Sequence, residues 1–142
     1  MATLKNSVFL DSNYIIASYA DSDPLYQKAT VLSKHLTSRQ GQLVISNYIL
    51  LEVVTILSQR VGKKHAHDAG KYLLESGRVQ NIQQTSSLDY QTWDLFQTVR
   101  TKNLSFVDAS IIATMLAEGI KHLITFDKAL ASIAKLHRLE VN

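Results

Sequence analysis

A chain of 142 residues is about one domain long, enough for a single core, and 46% of it is hydrophobic. It has no cysteine, which excludes a disulfide framework, a thiol nucleophile and cysteine-ligated zinc. A net charge of +3 permits a nucleic-acid partner without demanding one, because affinity for phosphates comes from clustered basic side chains.

The opening stretch MATLKNSVFLD has too short an apolar run for a secretory leader, and no run reaches the ~18 residues of a membrane span. A soluble, cytoplasmic protein without a membrane partner is expected. SVFL reads as a short buried strand ended by Asp11. In DSDPLYQKATVLSKHLTSRQG, Asp23 is the expected N-cap and Pro24 the first helical residue. Leu25, Ala29, Leu32 and Leu36 follow at helical spacing, and Gly41 closes the segment. LVIS reads as a second strand, followed by a helix over NYILLEVVTILSQRVG that Gly62 stops. KKHAHDAGKYLLESG reads as a helix weakened by Gly70, and RVQNIQ as a third strand. SSLDYQTWDLFQTVRTKN reads as a helix ending near Asn103, and SFVDASIIATMLAEG as one capped by Ser105 and stopped by Gly119. KHLITF reads as a buried strand, DKALASIAK as a short helix and RLEVN as a last strand. Strands alternate with helices and no hairpin turn joins two strands. The fold expected is α/β, a three-layer α/β/α sandwich with a mainly parallel sheet, as one domain over residues 1–142.

Four of the twelve acids lie in or against the most apolar stretches: Asp11, Glu52, Asp108 and Asp127. Taken singly, each has a structural explanation. Asp11 and Asp127 fit helix N-caps, and Asp108, three residues after Ser105, fits a capping box. Glu52 shares a helical stripe with Tyr48, Thr55 and Gln59 that could be the wet side. The wheel of residues 104–118 argues for more at Asp108. Ser110, Thr114 and Glu118 fall within about 80° of one another and mark the expected solvent face. Asp108 lies far from that stripe, among Leu104, Ile111, Ile112 and Met115. A carboxylate on an apolar face costs several kcal/mol unless it is paired or bound to a cation.

In parallel α/β sheets ligands bind at the carboxyl ends of the strands. Asp11 and Asp127 each follow a strand directly, and Asp108 and Glu52 lie early in helices. All four can therefore converge on one cleft. An all-carboxylate cluster selects hard cations, Mg²⁺ or Mn²⁺, which suit phosphoryl transfer.

The ordered series FLDSNYI, ISNYILLEVV, LSFVDASIIATML and LITFDKAL resembles the PIN-domain ribonucleases, particularly the toxin subunits of VapBC-type toxin–antitoxin pairs. The resemblance runs over nearly the whole chain and implies a PIN-like nuclease domain. It implies a Mg²⁺- or Mn²⁺-dependent endoribonuclease cutting single-stranded or looped RNA, as a homodimer, held inactive by a small antitoxin. By position, it makes Asp11, Glu52, Asp108 and Asp127 the catalytic, metal-binding quartet. It gives Asn13, Ser105 and Thr125 supporting places. The pattern departs at one point. Many relatives carry a further acid after the last one; here Lys128, Ala129 and Leu130 follow, which bears on a second metal position.

Arg60, Lys63 and Lys64, beside His65 and His67 in RVGKKHAH, form the one local basic group and are expected to touch RNA phosphates. The alternative is a solvated turn between helices. HAH suggests a metal pair, but alternate residues on a helix point apart. Tyr14, Tyr19, Tyr48, Trp93 and Phe96 read as core or dimer contacts. The main competing function is a non-catalytic RNA-binding or protein-interaction module on the same fold, which gains nothing from clustered acids. A phospho-receiver would need adjacent acids at the first strand's end, and LDSN supplies one.

Overall fold

Val8, Phe9 and Leu10 are all buried, although neighbouring residues on a strand point to opposite faces. Both faces of that strand must therefore be covered, which is the condition of a parallel sheet between helical layers. The computed structural model describes residues 6–39, 41–101 and 103–142; the leader reading, which starts on residues 1–5, lies outside them. The elements run β1 (Val8–Leu10), α1 (Ser12–Tyr19), α2 (Tyr26–Ser38), β2 (Leu43–Ser46), α3 (Asn47–Arg60) and α4 (Lys63–Glu75). They continue with β3 (Val79–Ile82), α5 (Ser86–Thr98), α6 (Phe106–Glu118), β4 (His122–Ile124), α7 (Lys128–Leu136) and β5 (Glu140–Val141).

The sheet has the order β3-β2-β1-β4-β5, with every neighbouring pair parallel. Phe9 lies opposite Val44 on one side and Leu123 on the other. The chain leaves β1 toward β2 and β3, then returns to place β4 on β1's other side. The order thus reverses between β1 and β4, which opens a crevice at their carboxyl ends. Helix α1 packs against α2 and α3, α3 against α4, and α5 against α6. Phe9, Ile45, Ile111, Ile112, Met115 and Leu123 are wholly buried between these layers. Among the described residues no helix is long and apolar enough to cross a membrane.

Several expected boundaries move. Helix α2 begins at Tyr26, not Pro24, because Asp23 spends its carboxylate on the Leu25 N–H at 2.8 Å, in a turn preceding the helix. Helix α5 stops at Thr98, five residues short of the expected end near Asn103, where Val99 turns extended. Strand β4 ends at Ile124: the Thr125 N–H bonds the Asn142 side chain at 2.8 Å and the Phe126 N–H bonds Asn13 Oδ1 at 3.1 Å. Gly119 ends α6 with φ 72°, a left-handed cap that favours glycine.

The expected solvent face of α6 is wrong for two of its three residues. Ser110 and Thr114 are wholly buried, because α5 packs along a helix that is covered from Ala109 to Met115. Their hydroxyls are satisfied inside: Ser110 Oγ donates to the Val107 carbonyl at 2.5 Å, and Thr114 Oγ1 accepts from Gln84 Nε2 at 2.6 Å. The aromatic expectation also divides. Tyr14, Tyr19 and Phe96 pack into or against the core, whereas Trp93 is 48% exposed.

Candidate active site

Asp11 is 3% exposed and stands where β1 meets α1. Its Oδ1 accepts from the Ser12 N–H at 2.7 Å, capping α1, and its Oδ2 accepts from Thr125 Oγ1 at 2.7 Å. Burial pushes the Asp11 carboxyl up to about 7, and the nearby charges of Asp108 and Glu52 add to the rise. Its bonds from Thr125 and Ser12 oppose that rise.

Thr125 joins three elements through one hydroxyl. While donating to Asp11, it accepts from the Asp127 N–H at 3.0 Å and lies 3.3 Å from Asn13 Nδ2, which donates to it. Asn13 also accepts from the Phe126 N–H, so it pins residues 125 and 126 against the start of α1. Asp127 caps α7, its Oδ1 accepting from the N–H groups of Ala129 at 2.8 Å and Leu130 at 3.1 Å.

Asp108 makes the capping box the sequence allows. Ser105 Oγ accepts from the Asp108 N–H at 3.0 Å, and Asp108 Oδ2 accepts from the Ser105 N–H at 3.1 Å. This bond leaves Oδ1 unused by the cap. Burial raises the Asp108 carboxyl first, and the charges of Asp127 and Glu52 raise it further. Glu52, on α3, accepts a short hydrogen bond from Ser12 Oγ.

The four acids are thus within electrostatic reach of one another, joined by like-charge repulsion: Asp11 feels Asp108 and Glu52, and Asp108 feels Asp127 and Glu52. Asp11 and Asp127 cap α1 and α7, and Asp108 completes the capping box of α6, so the positive N-terminal ends of these three helices face this charge. The donor set is all oxygen, which fits a hard cation. Among the described residues, however, no three acidic or histidine side chains converge closely enough to share one ion as they stand. Glu52 is turned onto Ser12, and Asp127 onto its own helix.

Arg60, Lys63 and Lys64 are exposed at the turn between α3 and α4 and, among the described residues, form no ion pair. Among the described residues no ion pair links them to the acids. The sequence reading missed Ser12, the buried hydroxyl that holds Glu52. Its place directly after Asp11, at the first turn of a capped helix, was the available signal. It also missed Lys28 on α2, whose Nζ stands 5.3 Å from the centre of the Phe126 ring, beside Thr125 and Asp127. Nothing in its local sequence marks Lys28.

The model of the PIN domain family matches residues 8–136. The chain is 29% identical over 121 residues to the 23S rRNA-specific endonuclease VapC20 of Mycobacterium tuberculosis, covering 84% of this chain and 88% of that protein. The crystal structure of M. tuberculosis VapC20, described as a Sarcin-Ricin loop cleaving toxin, matches with TM-score 0.79 and 26% identity. That match covers 89% of this chain and 94% of the other. VapBC2 from Rickettsia felis, bound to a promoter DNA fragment, matches with TM-score 0.63 over 96% and 97% of the two chains; at 16% identity it supports the fold alone.

Proposed function

We propose, from the premise that this chain belongs to the PIN-domain family, that it is an endoribonuclease hydrolysing RNA phosphodiester bonds with Mg²⁺ or Mn²⁺ held by Asp11, Glu52, Asp108 and Asp127. The observation that supports this reading is four acids near the carboxyl ends of β1 and β4, with Asp11 and Asp108 raised first by burial and further by the neighbouring carboxylates. A scaffold gains nothing from such an arrangement. A cation-binding site requires it.

When bound, the ion supplies a Lewis acid for the phosphate and a water of lowered pKa. The chain's own residues do the rest. Thr125 fixes one oxygen of Asp11, and Asn13 holds Thr125 and Phe126 in place. Ser105 orients Asp108 through the capping box, and Ser12 holds Glu52. Without a cation, the Asp11 carboxyl keeps its proton to about neutral pH. Lys28, beside Phe126, offers a cation for a phosphate approaching the acids.

The substrate class is single-stranded or looped RNA, in keeping with VapC20, whose description places its action on 23S rRNA and the Sarcin-Ricin loop. A toxin of this kind needs restraint in the cell that makes it, so the partner is a small antitoxin protein. A cavity of about 760 Å³ bounded by α1, α2 and α4, with Tyr14, Ile15, Leu36 and Leu73 in its wall and Arg39 and Arg78 beside them, suits an amphipathic, acidic segment of such a partner. Self-association as a homodimer is part of the same proposal and is read from mass in solution. Activity is tested by incubating RNA with the protein, with Mg²⁺ or Mn²⁺ and with EDTA, beside Asp11→Asn. Cleavage that needs the ion and is lost in the variant supports the reading; ion-independent or undiminished cleavage ends it.

A further inference from the structure

Three consecutive main-chain N–H groups lead from β4 into α7, and a side chain accepts from each of them. The Thr125 N–H donates to Asn142 Oδ1 at 2.8 Å, the Phe126 N–H to Asn13 Oδ1 at 3.1 Å and the Asp127 N–H to Thr125 Oγ1 at 3.0 Å. Asn13 and Thr125 belong to the acid site already described. Asn142 does not. It comes 17 residues after Thr125 and lies beyond residue 136, where the family match ends.

The sheet brings Asn142 there. Strand β5 is the edge strand and runs parallel to β4, with His122 opposite Glu140 and Leu123 opposite Val141. The Glu140 N–H donates to the Lys121 carbonyl at 2.8 Å and the Asn142 N–H to the Leu123 carbonyl at 3.0 Å. Parallel ladders space their bonds evenly, so the next bond in line comes back from the Thr125 N–H. By then β4 has ended at Ile124, and Asn142 meets that N–H with its side chain in place of a main-chain carbonyl. Thr125 is 3% exposed, so water is a poor substitute for the lost acceptor.

We propose that Asn142 is a positioning residue of the acid site: from the edge of the sheet it fixes Thr125, and through Thr125 it sets the placing of Asp11 and Asp127 for a divalent cation. The proposal rests on the ribonuclease reading and adds a residue that reaches the site only through Thr125. The route is short. Thr125 Oγ1 donates to Asp11 Oδ2 at 2.7 Å and accepts from the Asp127 N–H, while the Asp11 N–H donates to the Ile124 carbonyl at 2.9 Å. A swing of the Thr125 main chain therefore shifts a carboxylate oxygen of Asp11 and the amide of Asp127 together. Asn142 itself is exposed, so its replacement leaves the core around Phe9, Ile111 and Leu123 intact.

The experiment compares the full chain with Asn142→Leu, which removes the acceptor at similar size, and Asn142→Asp, which keeps an oxygen in the same place. In metal-free protein, Asn142→Leu should strip the Thr125 amide of its protection from hydrogen exchange, and Asn142→Asp should restore it. Calorimetric titration with Mn²⁺ should show affinity about tenfold lower for Asn142→Leu, and kcat for RNA cleavage should fall by about as much with KM for RNA unchanged. Asn142→Asp should recover most of both. Unchanged exchange at Thr125 in the leucine variant would overturn the proposal. So would an Asn142→Leu protein that melts earlier yet binds Mn²⁺ and cleaves as wild type does, which would make Asn142 a fastening of the edge strand only. Wild-type Mn²⁺ affinity in Asp11→Asn would bring down the acid-site reading instead, a separate failure that leaves the exchange result at Thr125 standing.

Discussion

Thr125 Oγ1 donates to Asp11 Oδ2 at 2.7 Å, and so ties the carboxyl end of β4 to that of β1. The bond is buried and favours the ionised form of Asp11. Thr125→Val keeps the shape of the side chain and removes the donor. It should cost about 1–3 kcal/mol in urea unfolding and move the acid limb of the pH–rate profile upward. An unmoved limb would make Thr125 a structural residue only.

The pH dependence of the metal-free protein has a definite sign. Asp11 has a folded pKa near 7 against an ordinary 3.8, so the folded state holds a proton that the unfolded state has released. The stability this contributes is complete below pH 3.8 and is lost as pH rises through 7. Asp108 is shifted the same way. In EDTA the unfolding free energy from urea titration should therefore fall between pH 5 and pH 8, by on the order of a few kcal/mol, and Asp11→Asn should flatten the fall. Mg²⁺ should restore stability at pH 8 more than at pH 5. A midpoint that rises with pH in EDTA would contradict the burial of this acid.

Asp108→Asn separates cation binding from capping. The amide oxygen can still accept from the Ser105 N–H, so the capping box survives while the charge goes. RNA cleavage with Mg²⁺ or Mn²⁺ should drop by orders of magnitude, RNA binding should persist, and the metal-free melting temperature should be at least that of wild type. Mg²⁺ should raise the variant's melting temperature less. Asp108→Ala should lose about 1 kcal/mol besides, from the cap. An Asn variant with full activity would reduce Asp108 to its capping role.

Arg60, Lys63 and Lys64 make no ion pair among the described residues, so their charge is available to phosphates. Replacing each with alanine should weaken RNA binding across sequences and flatten the log Kd against log salt slope by roughly 0.7 per lost contact. Should the triple variant keep the wild-type slope, the turn is only a solvated connection.

The parts of this architecture carried by local patterns were legible without coordinates. Strands β1, β2 and β4 are short, mostly apolar runs next to helices, so they were readable, as were the caps at Asp11, Ser105 and Asp127. The misses have tertiary causes. Ser110 and Thr114 look like a wet stripe until α5 and Gln84 cover them, and Asp23 looks like a cap until its carboxylate is spent on Leu25. Of the candidate site, the four acids could be named from their placement in apolar stretches, and Asn13 only through the family resemblance. Ser12 holding Glu52, and Lys28 over Phe126, depend on helices meeting across long sequence separations, which no local pattern records.

The central place of β1 has a consequence during synthesis. Asp11 leaves the ribosome early, but its crevice exists only once β4 lies beside β1, and Thr125 and Asp127 come more than a hundred residues later. Strands β1 and β2 can pair while translation continues; the cleft cannot close on a partial product. Whatever activity the four acids carry is thereby withheld from the nascent chain until it is almost finished, and a prematurely terminated fragment is born harmless.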